Sequence, residues 1–175
     1  MPEQRIVLRE ATIDDLELLR YWDTKPHVIA SDPDDDWEWE ENLNAPQPFW
    51  REQFVAELDG EPIGFLQIID PHYEESHYWG DVEKNLRAID IWIGEEHHLG
   101  KGYGTEMMQS AFRHCFSDSN VTSILIDPLV SNTRAIRFYK RLGFEFVQNR
   151  WFEGSHCAVH RLEKKRWKTI SAQSI

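Results

Sequence analysis

Residues 98–105, His-Leu-Gly-Lys-Gly-Tyr-Gly-Thr, set three glycines at alternate positions between an extended apolar segment, Ala88–Ile93, and a helical pattern from Glu106. Glycine reaches backbone conformations barred to other residues and lets the main chain approach a ligand closely. Loop amides and the unpaired N–H groups of the helix start then converge on one spot, where the helix dipole favours an anion. Strand, glycine loop and helix in that order make a phosphate cradle, although glycine loops also serve as plain turns. The spacing is not Gly-x-x-x-x-Gly-Lys followed by Ser or Thr, the loop of nucleotide hydrolases. It is not the dinucleotide fingerprint either, because the third glycine comes one residue early. Two carboxylates are candidates for the chemistry. Asp90 interrupts the apolar run Ile89-Asp90-Ile91-Trp92-Ile93; it either faces solvent on an alternating strand or is a functional carboxylate kept against a core at an energetic cost. Asp127 follows Ser123–Ile126 at the C-terminal end of a strand, where sites in such sheets tend to lie, or opens a turn with Pro128.

The elements that must position these groups follow from pattern. Arg5–Glu10 reads as an opening strand. Thr12 caps a helix with Asp14 and Asp15 in its first turn, Leu16, Leu18, Leu19 and Trp22 form its apolar face, and Pro26 ends it. Residues 24–50 read as irregular, with a short helix near Trp37–Leu43. Gln53–Leu58 and Pro62–Ile69 form a hairpin about Asp59-Gly60. Residues 70–84 form a polar loop carrying Tyr73, Tyr78 and Trp79. Then come a strand over Asn85–Ile93, a helix over Gly102–Phe116, a buried strand over Val121–Ile126, a helix over Asn132–Leu142, and paired strands over Phe144–Trp151 and Ser155–Leu162. The tail after Trp167 reads as frayed. Strands and helices mixed in this way imply an α/β or α+β sheet covered on both faces. No repeat or linker divides the chain, so one domain is expected over residues 1–175.

Further along, residues 131–144 read Ser-Asn-Thr-Arg-Ala-Ile-Arg-Phe-Tyr-Lys-Arg-Leu-Gly-Phe. Together with the glycine loop, this stretch resembles the GNAT acyltransferases, which use acyl-coenzyme A. Gly60-Glu61-Pro62-Ile63-Gly64, Tyr78-Trp79-Gly80, Arg87-Ala88-Ile89-Asp90, Leu99-Gly100-Lys101-Gly102, Asp127-Pro128, Ser131-Asn132 and Arg134-Ala135-Ile136-Arg137 recur in one order. That order is similar to the aminoglycoside 6′-N-acetyltransferase branch and covers about residues 5–167. The resemblance implies a central, mostly antiparallel mixed sheet splayed between its fourth and fifth strands, with acetyl-CoA in the splay.

Acyl transfer from a thioester to an amine requires a held cofactor, a deprotonated amine, a stabilised oxyanion and a departing thiolate. Alkyl amines are mostly protonated at neutral pH, and a nearby carboxylate can orient the ammonium and accept its proton. The resemblance assigns Asp90 and Asp127 to the acceptor amine and Tyr139 to the thiol, Tyr139 also reading as a packed helix aromatic. It assigns Leu99, Gly100, Lys101, Gly102, Tyr103, Gly104 and Thr105 to the pyrophosphate. Asn132 would hydrogen-bond the pantetheine chain, or simply cap its helix. Ala135, Phe138 and Tyr139 complete the cofactor wall, and the strand Ile91-Trp92-Ile93 supplies a main-chain N–H for the oxyanion. Trp37, Tyr78 and Trp79 are placed against the substrate, with core or loop-anchoring roles open for the two tryptophans. At one position the sequence departs from the resistance enzymes: Ile91 stands where they tend to carry a polar residue.

The net charge of −12 disfavours nucleic-acid binding and favours a cationic small molecule, or serves solubility alone. Asp32, Asp34, Asp35, Asp36, Glu38, Glu40 and Glu41 lie within ten residues and alternate with Trp37 and Trp39. A mouth that receives a polyamine uses both features; the plainer reading is a solvated loop. No apolar run spans a membrane and the N-terminus lacks a signal-peptide pattern, so a cytoplasmic protein is expected; its expected state is a monomer or homodimer. Cys115 and Cys157 form no disulfide or metal pattern, Cys157 lacks a Cys-His signature for a nucleophile, and His97-His98 lacks zinc-site spacing, so no metal is expected. The reading that results is an amine N-acetyltransferase. The alternatives are an acyltransferase for a siderophore-type lysine amine, a hydroxylamine or a protein N-terminus, and a non-catalytic acyl-CoA sensor.

Overall fold

The computed structural model describes residues 5–33 and 35–173. Strand β1 (Ile6–Glu10) leads through a 3₁₀ turn into helix α1 (Leu16–Trp22), followed by α2 (Pro26–Ser31) and α3 (Trp39–Asn44). Strands β2 (Arg51–Leu58), β3 (Glu61–Ile69) and β4 (Leu86–Ile93) precede helix α4 (Tyr103–Ser117). Strand β5 (Ser123–Ile126), helix α5 (Thr133–Arg141), strands β6 (Glu145–Phe152) and β7 (Ser155–Glu163) and helix α6 (Lys164–Gln173) complete the chain. The strands form one mixed sheet in the order β1-β2-β3-β4-β5-β7-β6. Pairs β1–β2, β5–β7 and β6–β7 are antiparallel. β4 and β5 run parallel, with Leu86–Ala88 opposite Ser123–Leu125, and β4 continues to Ile93. The expected α/β class and mixed sheet are therefore present.

The chain divides into two compact units. One holds the residues up to Ile68 together with Asp90–Phe112, and the other holds Ile69–Ile89 and everything from Arg113 on. In the first, Leu19, Trp22, Trp39, Val55 and Phe65 form a buried cluster, with Trp37 and Trp92 packed against it. Arg9 grips Asp15 through two hydrogen bonds of 2.8 and 2.9 Å, while Asp15 accepts the Thr12 N–H and closes the helix entry. Gly64 of β3 has no substitute there: a Cβ would lie 2.6 Å from the Trp92 carbonyl oxygen and 3.0 Å from the Met107 side chain. In the second unit every residue of β5 is buried, which fits its apolar run Ile124–Ile126. Strand β6 lies at the sheet edge, exposed at Phe146, Val147 and Trp151, and its register with β7 shifts between Phe146 and Gln148.

Two expectations are corrected. Pro26 does not close the first helix, which ends at Trp22; it is the first residue of α2, where its missing N–H would have had no intrahelical partner. The described residues after Trp167 are not frayed, because α6 runs to Gln173. That helix is held by Trp167 against Phe116, with ring centroids 5.0 Å apart, and by a 2.7 Å hydrogen bond from Arg166 Nε to the Gly143 carbonyl.

Candidate active site

In the first unit, β4 leads through Gly94 and a 3₁₀ turn at Glu96–His98 to the glycine loop and α4. Gly100 and Gly102 take left-handed φ values of 72° and 83°, and a Cβ at either would meet nothing within 4 Å. The space before these glycines is open, so their conformation serves the loop's path and whatever it faces. Helix geometry leaves the N–H groups of Tyr103, Gly104 and Thr105 without intrahelical acceptors, and Glu106 is the first to bond back, to the Gly102 carbonyl at 3.1 Å. Lys101 and Thr105 are exposed, and Leu99, Tyr103 and Gly104 are partly buried. His98 carries a buried Nδ1 with no partner among the described residues, and burial holds its pKa down, helped by His97 and Lys101. An exposed left-handed turn beside a helix start fits a pyrophosphate.

Asp90 sits on β4 four residues before Gly94 and is partly buried. Its Oδ2 accepts a hydrogen bond from Gln67 Nε2 at 3.1 Å, and Gln67 Oε1 accepts one from Gln53 Nε2 at 2.9 Å. Burial pushes the Asp90 carboxyl up to about 6, against the hydrogen bond from Gln67 and with the help of the Asp35 charge. Asp35 is itself raised, by desolvation first and then by the charge of Asp32 and a hydrogen bond with it, with Asp23 and Asp36 adding. Beyond Asp90, Ile91 and Trp92 are partly buried and Ile93 is buried. The Ile93 carbonyl accepts from His27 Nε2 at 2.8 Å.

The acidic segment turns its tryptophans inward. Trp39 is buried and donates its indole N–H to Asp23 at 2.5 Å. Trp37 stacks on Trp39 at 5.1 Å and meets Trp92 edge-on at 5.1 Å. The described carboxylates of the segment are exposed. Asp23, Asp36, Glu38, Glu40 and Glu41 line, with Arg20 and Trp39, a surface cavity of about 380 Å³. Asp34 lies outside the described residues.

In the second unit, Asp127 follows β5 and accepts a 2.5 Å hydrogen bond from the Tyr78 hydroxyl. The Tyr78 ring stacks on Phe152 at 4.5 Å, and the Arg150 guanidinium stands 4.5 Å from the Phe152 ring. Trp79 is buried, edge-on to Phe152 at 5.2 Å, with its carbonyl bonded to Arg150 at 3.0 Å; it anchors the loop that presents Tyr78. Asn132 caps α5 by accepting the Ala135 N–H at 3.1 Å, and Ala135 and Phe138 are partly buried. Tyr139 is buried with Phe138 and Phe144 around it at 5.2 and 5.7 Å.

The structure thus joins Asp90 to Gln67 and Gln53 by hydrogen bonds in one unit, with the charge of Asp35 acting on it, and Asp127 to Tyr78 in the other. Gln53, Gln67, Phe152 and Arg150 were not singled out from sequence. A glutamine at an inward position of each strand of the hairpin was the available signal for the first two. Both cysteines are buried and free. Among the described residues no cluster of His, Cys, Asp or Glu could hold a metal, and no helix is long and apolar enough to cross a membrane.

Comparison with known proteins gives consistent likenesses. Residues 12–152 match the family model described as an acetyltransferase (GNAT) domain. The chain is 30% identical over 154 residues to aminoglycoside N(6′)-acetyltransferase type 1 of Klebsiella pneumoniae, covering 80% of this chain and 74% of that one. It is 29% identical over 106 residues to spermine/spermidine N(1)-acetyltransferase of Bacillus subtilis strain 168, covering 59% of this chain and 66% of the relative. The crystal structure of aminoglycoside acetyltransferase AAC(6′)-Ib with coenzyme A and kanamycin superposes with a TM-score of 0.81 at 26% identity, over 95% of this chain and 99% of that one.

Proposed function

The chain belongs to the acetyltransferase (GNAT) family and is an acetyl-CoA-dependent N-acetyltransferase, and from that premise we propose that its acceptor is a primary amine of a small polycation. The observation that carries this reading is the first unit's layout: one strand-to-helix connection bears a half-buried carboxylate, Asp90, at one end and an open glycine cradle at the other. The acid-lined cavity and the aminoglycoside and spermine relatives point the same way.

Gly100, Lys101, Gly102, Tyr103, Gly104 and Thr105 hold the pyrophosphate of acetyl-CoA, with Leu99 beneath them. Asn132, Ala135 and Phe138 line the pantetheine arm. Acetyl-CoA supplies the thioester acetyl group. Asp90 binds the acceptor ammonium and takes its proton; Asp127, oriented by Tyr78, holds the amine or a second one. The freed amine nitrogen forms the new C–N bond directly as the C–S bond breaks, with both substrates bound. A main-chain N–H along Ile91–Ile93 donates to the acetyl oxygen, and Tyr139 returns a proton to the departing sulfur. Trp37 backs the acceptor pocket from behind, through its contact with Trp92. The whole chain acts as one acetyltransferase domain, since the family match draws on both units. Its proposed setting is the cytoplasm, as a monomer or homodimer without a nucleic-acid partner.

A panel with acetyl-CoA and kanamycin, spermine, lysine, a hydroxylamine or a simple monoamine, read by release of free thiol, tests the proposal. Turnover is expected for the polycations at the highest kcat/KM. Turnover confined to lysine or the hydroxylamine would move the assignment to siderophore-type chemistry, and coenzyme A binding without turnover of any amine would make the protein a sensor.

A further inference from the structure

The row Gln53–Gln67–Asp90 crosses three neighbouring strands, β2, β3 and β4, with each side chain bonded to the next. We propose that Gln53 and Gln67 are positioning residues that act in series to keep the Asp90 carboxylate ionised and to leave one of its oxygens for the acceptor amine. The proposal rests on the role given to Asp90 above.

The direction of the row follows from donor and acceptor chemistry. An ionised carboxylate only accepts hydrogen bonds, whereas a glutamine amide donates from one end and accepts at the other. Gln67 must therefore turn its Nε2 to Asp90 and its Oε1 to Gln53. Gln53 must in turn present its Nε2, which points its own Oε1 away from the row. That oxygen is buried and has no partner among the described residues. A buried acceptor left without a partner at the far end is the outcome expected if the row is ordered from the Asp90 end. Turning over either amide would set oxygen against oxygen. A neutral Asp90 makes no such demand, so the row favours the charged form. It also ties down Oδ2 and leaves Oδ1 unclaimed by Gln67.

The charge facing Asp90 from another element is that of Asp35, in the segment before α3, which works against ionisation. Asp35 in turn stands among Asp32, Asp23 and Asp36. The glutamine row opposes this acidic side from the neighbouring strand, which lets the carboxyl titrate at about 6 rather than higher.

The test is an NMR titration of protein labelled with ¹³C at the aspartate carboxyls, with the Asp90 signal assigned by its loss in Asp90→Asn. Gln67→Met keeps the side chain's length and removes the donor; Asp90 is expected to titrate about one pH unit higher, the order for a lost charge-assisted hydrogen bond. Gln53→Met leaves Gln67 free to turn over, so a smaller shift in the same direction is expected. Because Gln53 acts only through Gln67, the double variant should titrate with Gln67→Met alone. An unmoved Asp90 in Gln67→Met overturns the proposal, as does a double variant whose shift is the sum of the two. Gln53→Met carries the test alone if the other variant fails to fold. The role of Asp90 is tested separately, by calorimetric titration of spermine into Asp90→Asn. Undiminished binding there would remove the amine-binding premise, while the titration would still decide whether the row controls the carboxyl.

Discussion

Asp90 and Asp127 are the same side chain in two different settings. Asp90 is partly buried on a central strand, accepts from a neutral amide, and is pushed up to about 6 by lost solvation. Asp127 stands just past the end of β5 and accepts from a phenol that itself stacks on Phe152. A carboxylate that titrates near working pH exchanges protons readily. One held by a tyrosine on an aromatic shelf is better suited to orienting a cation. The difference teaches that two acids proposed for one reaction need not share the proton chemistry, and it divides their proposed duties into base and guide.

The largest expected effect removes the step both acids are proposed to serve. Gly102→Val forces a β-branched residue into a left-handed turn and fills open space before the loop. Calorimetry should find no coenzyme A binding, and binding at the parental affinity would sink the cradle assignment.

Next comes the contrast itself. Asp90→Asn is expected to lower kcat by roughly 100- to 1000-fold with little change in acetyl-CoA affinity. In the parent, kcat/KM should rise with pH through about 6 as Asp90 ionises, and that limb should vanish in the variant. The same change should stabilise the fold. Asp90 has a folded-state pKa above the ordinary 3.8, so its contribution to stability is present below that value and is lost as pH rises through about 6. Asparagine removes the loss, on the order of 1–3 kcal/mol at neutral pH. Denaturation at pH 4 and pH 8 should show a gap between variant and parent that opens only at the higher pH. A constant gap would argue against a buried carboxylate.

Asp127→Asn and Tyr78→Phe should cost roughly 10-fold each, mostly in the acceptor KM, and should leave the acid limb in place. An equal loss of kcat at both aspartates would erase the division of duties. The smallest effect belongs to the acidic segment. Asp35→Asn removes a charge that raises Asp90, so the acid limb should move to lower pH. Neutralising Asp35 and Asp36 together should also flatten the rise in acceptor KM with salt, since exposed charges are screened over about 8–10 Å. Acceptor kinetics matching the parent at every salt concentration would leave the segment a solvated loop.

What the sequence revealed was mostly local. The glycine loop, the hairpin at Asp59-Gly60 and the Asn132 cap each depend on a few consecutive residues, and each stands within a residue or two of where spacing puts it. The glutamine row was not legible, because it depends on the register of three strands whose members lie 14 and 23 positions apart. Local pattern leaves a substrate contact, a core role and a loop anchor all open for Trp37, and a polyamine mouth or a solvated loop open for the segment that carries Trp39. Their packing on Phe65 and Trp92 comes from tertiary contacts that local pattern does not encode. Helix α6 was missed for the same reason, since Trp167 and Arg166 gain their partners only when the chain folds back.

Strand β6 has a consequence for the protein as a material. An exposed edge strand bearing Phe146, Val147 and Trp151 is the kind of template on which other chains stack into aggregates. The shift of register between Phe146 and Gln148 breaks its regular row of main-chain donors and acceptors, and the net charge of −12 holds neighbouring molecules apart. Concentrated stocks should therefore keep best in dilute salt above the pI of about 5.0, and should cloud as the pH approaches it.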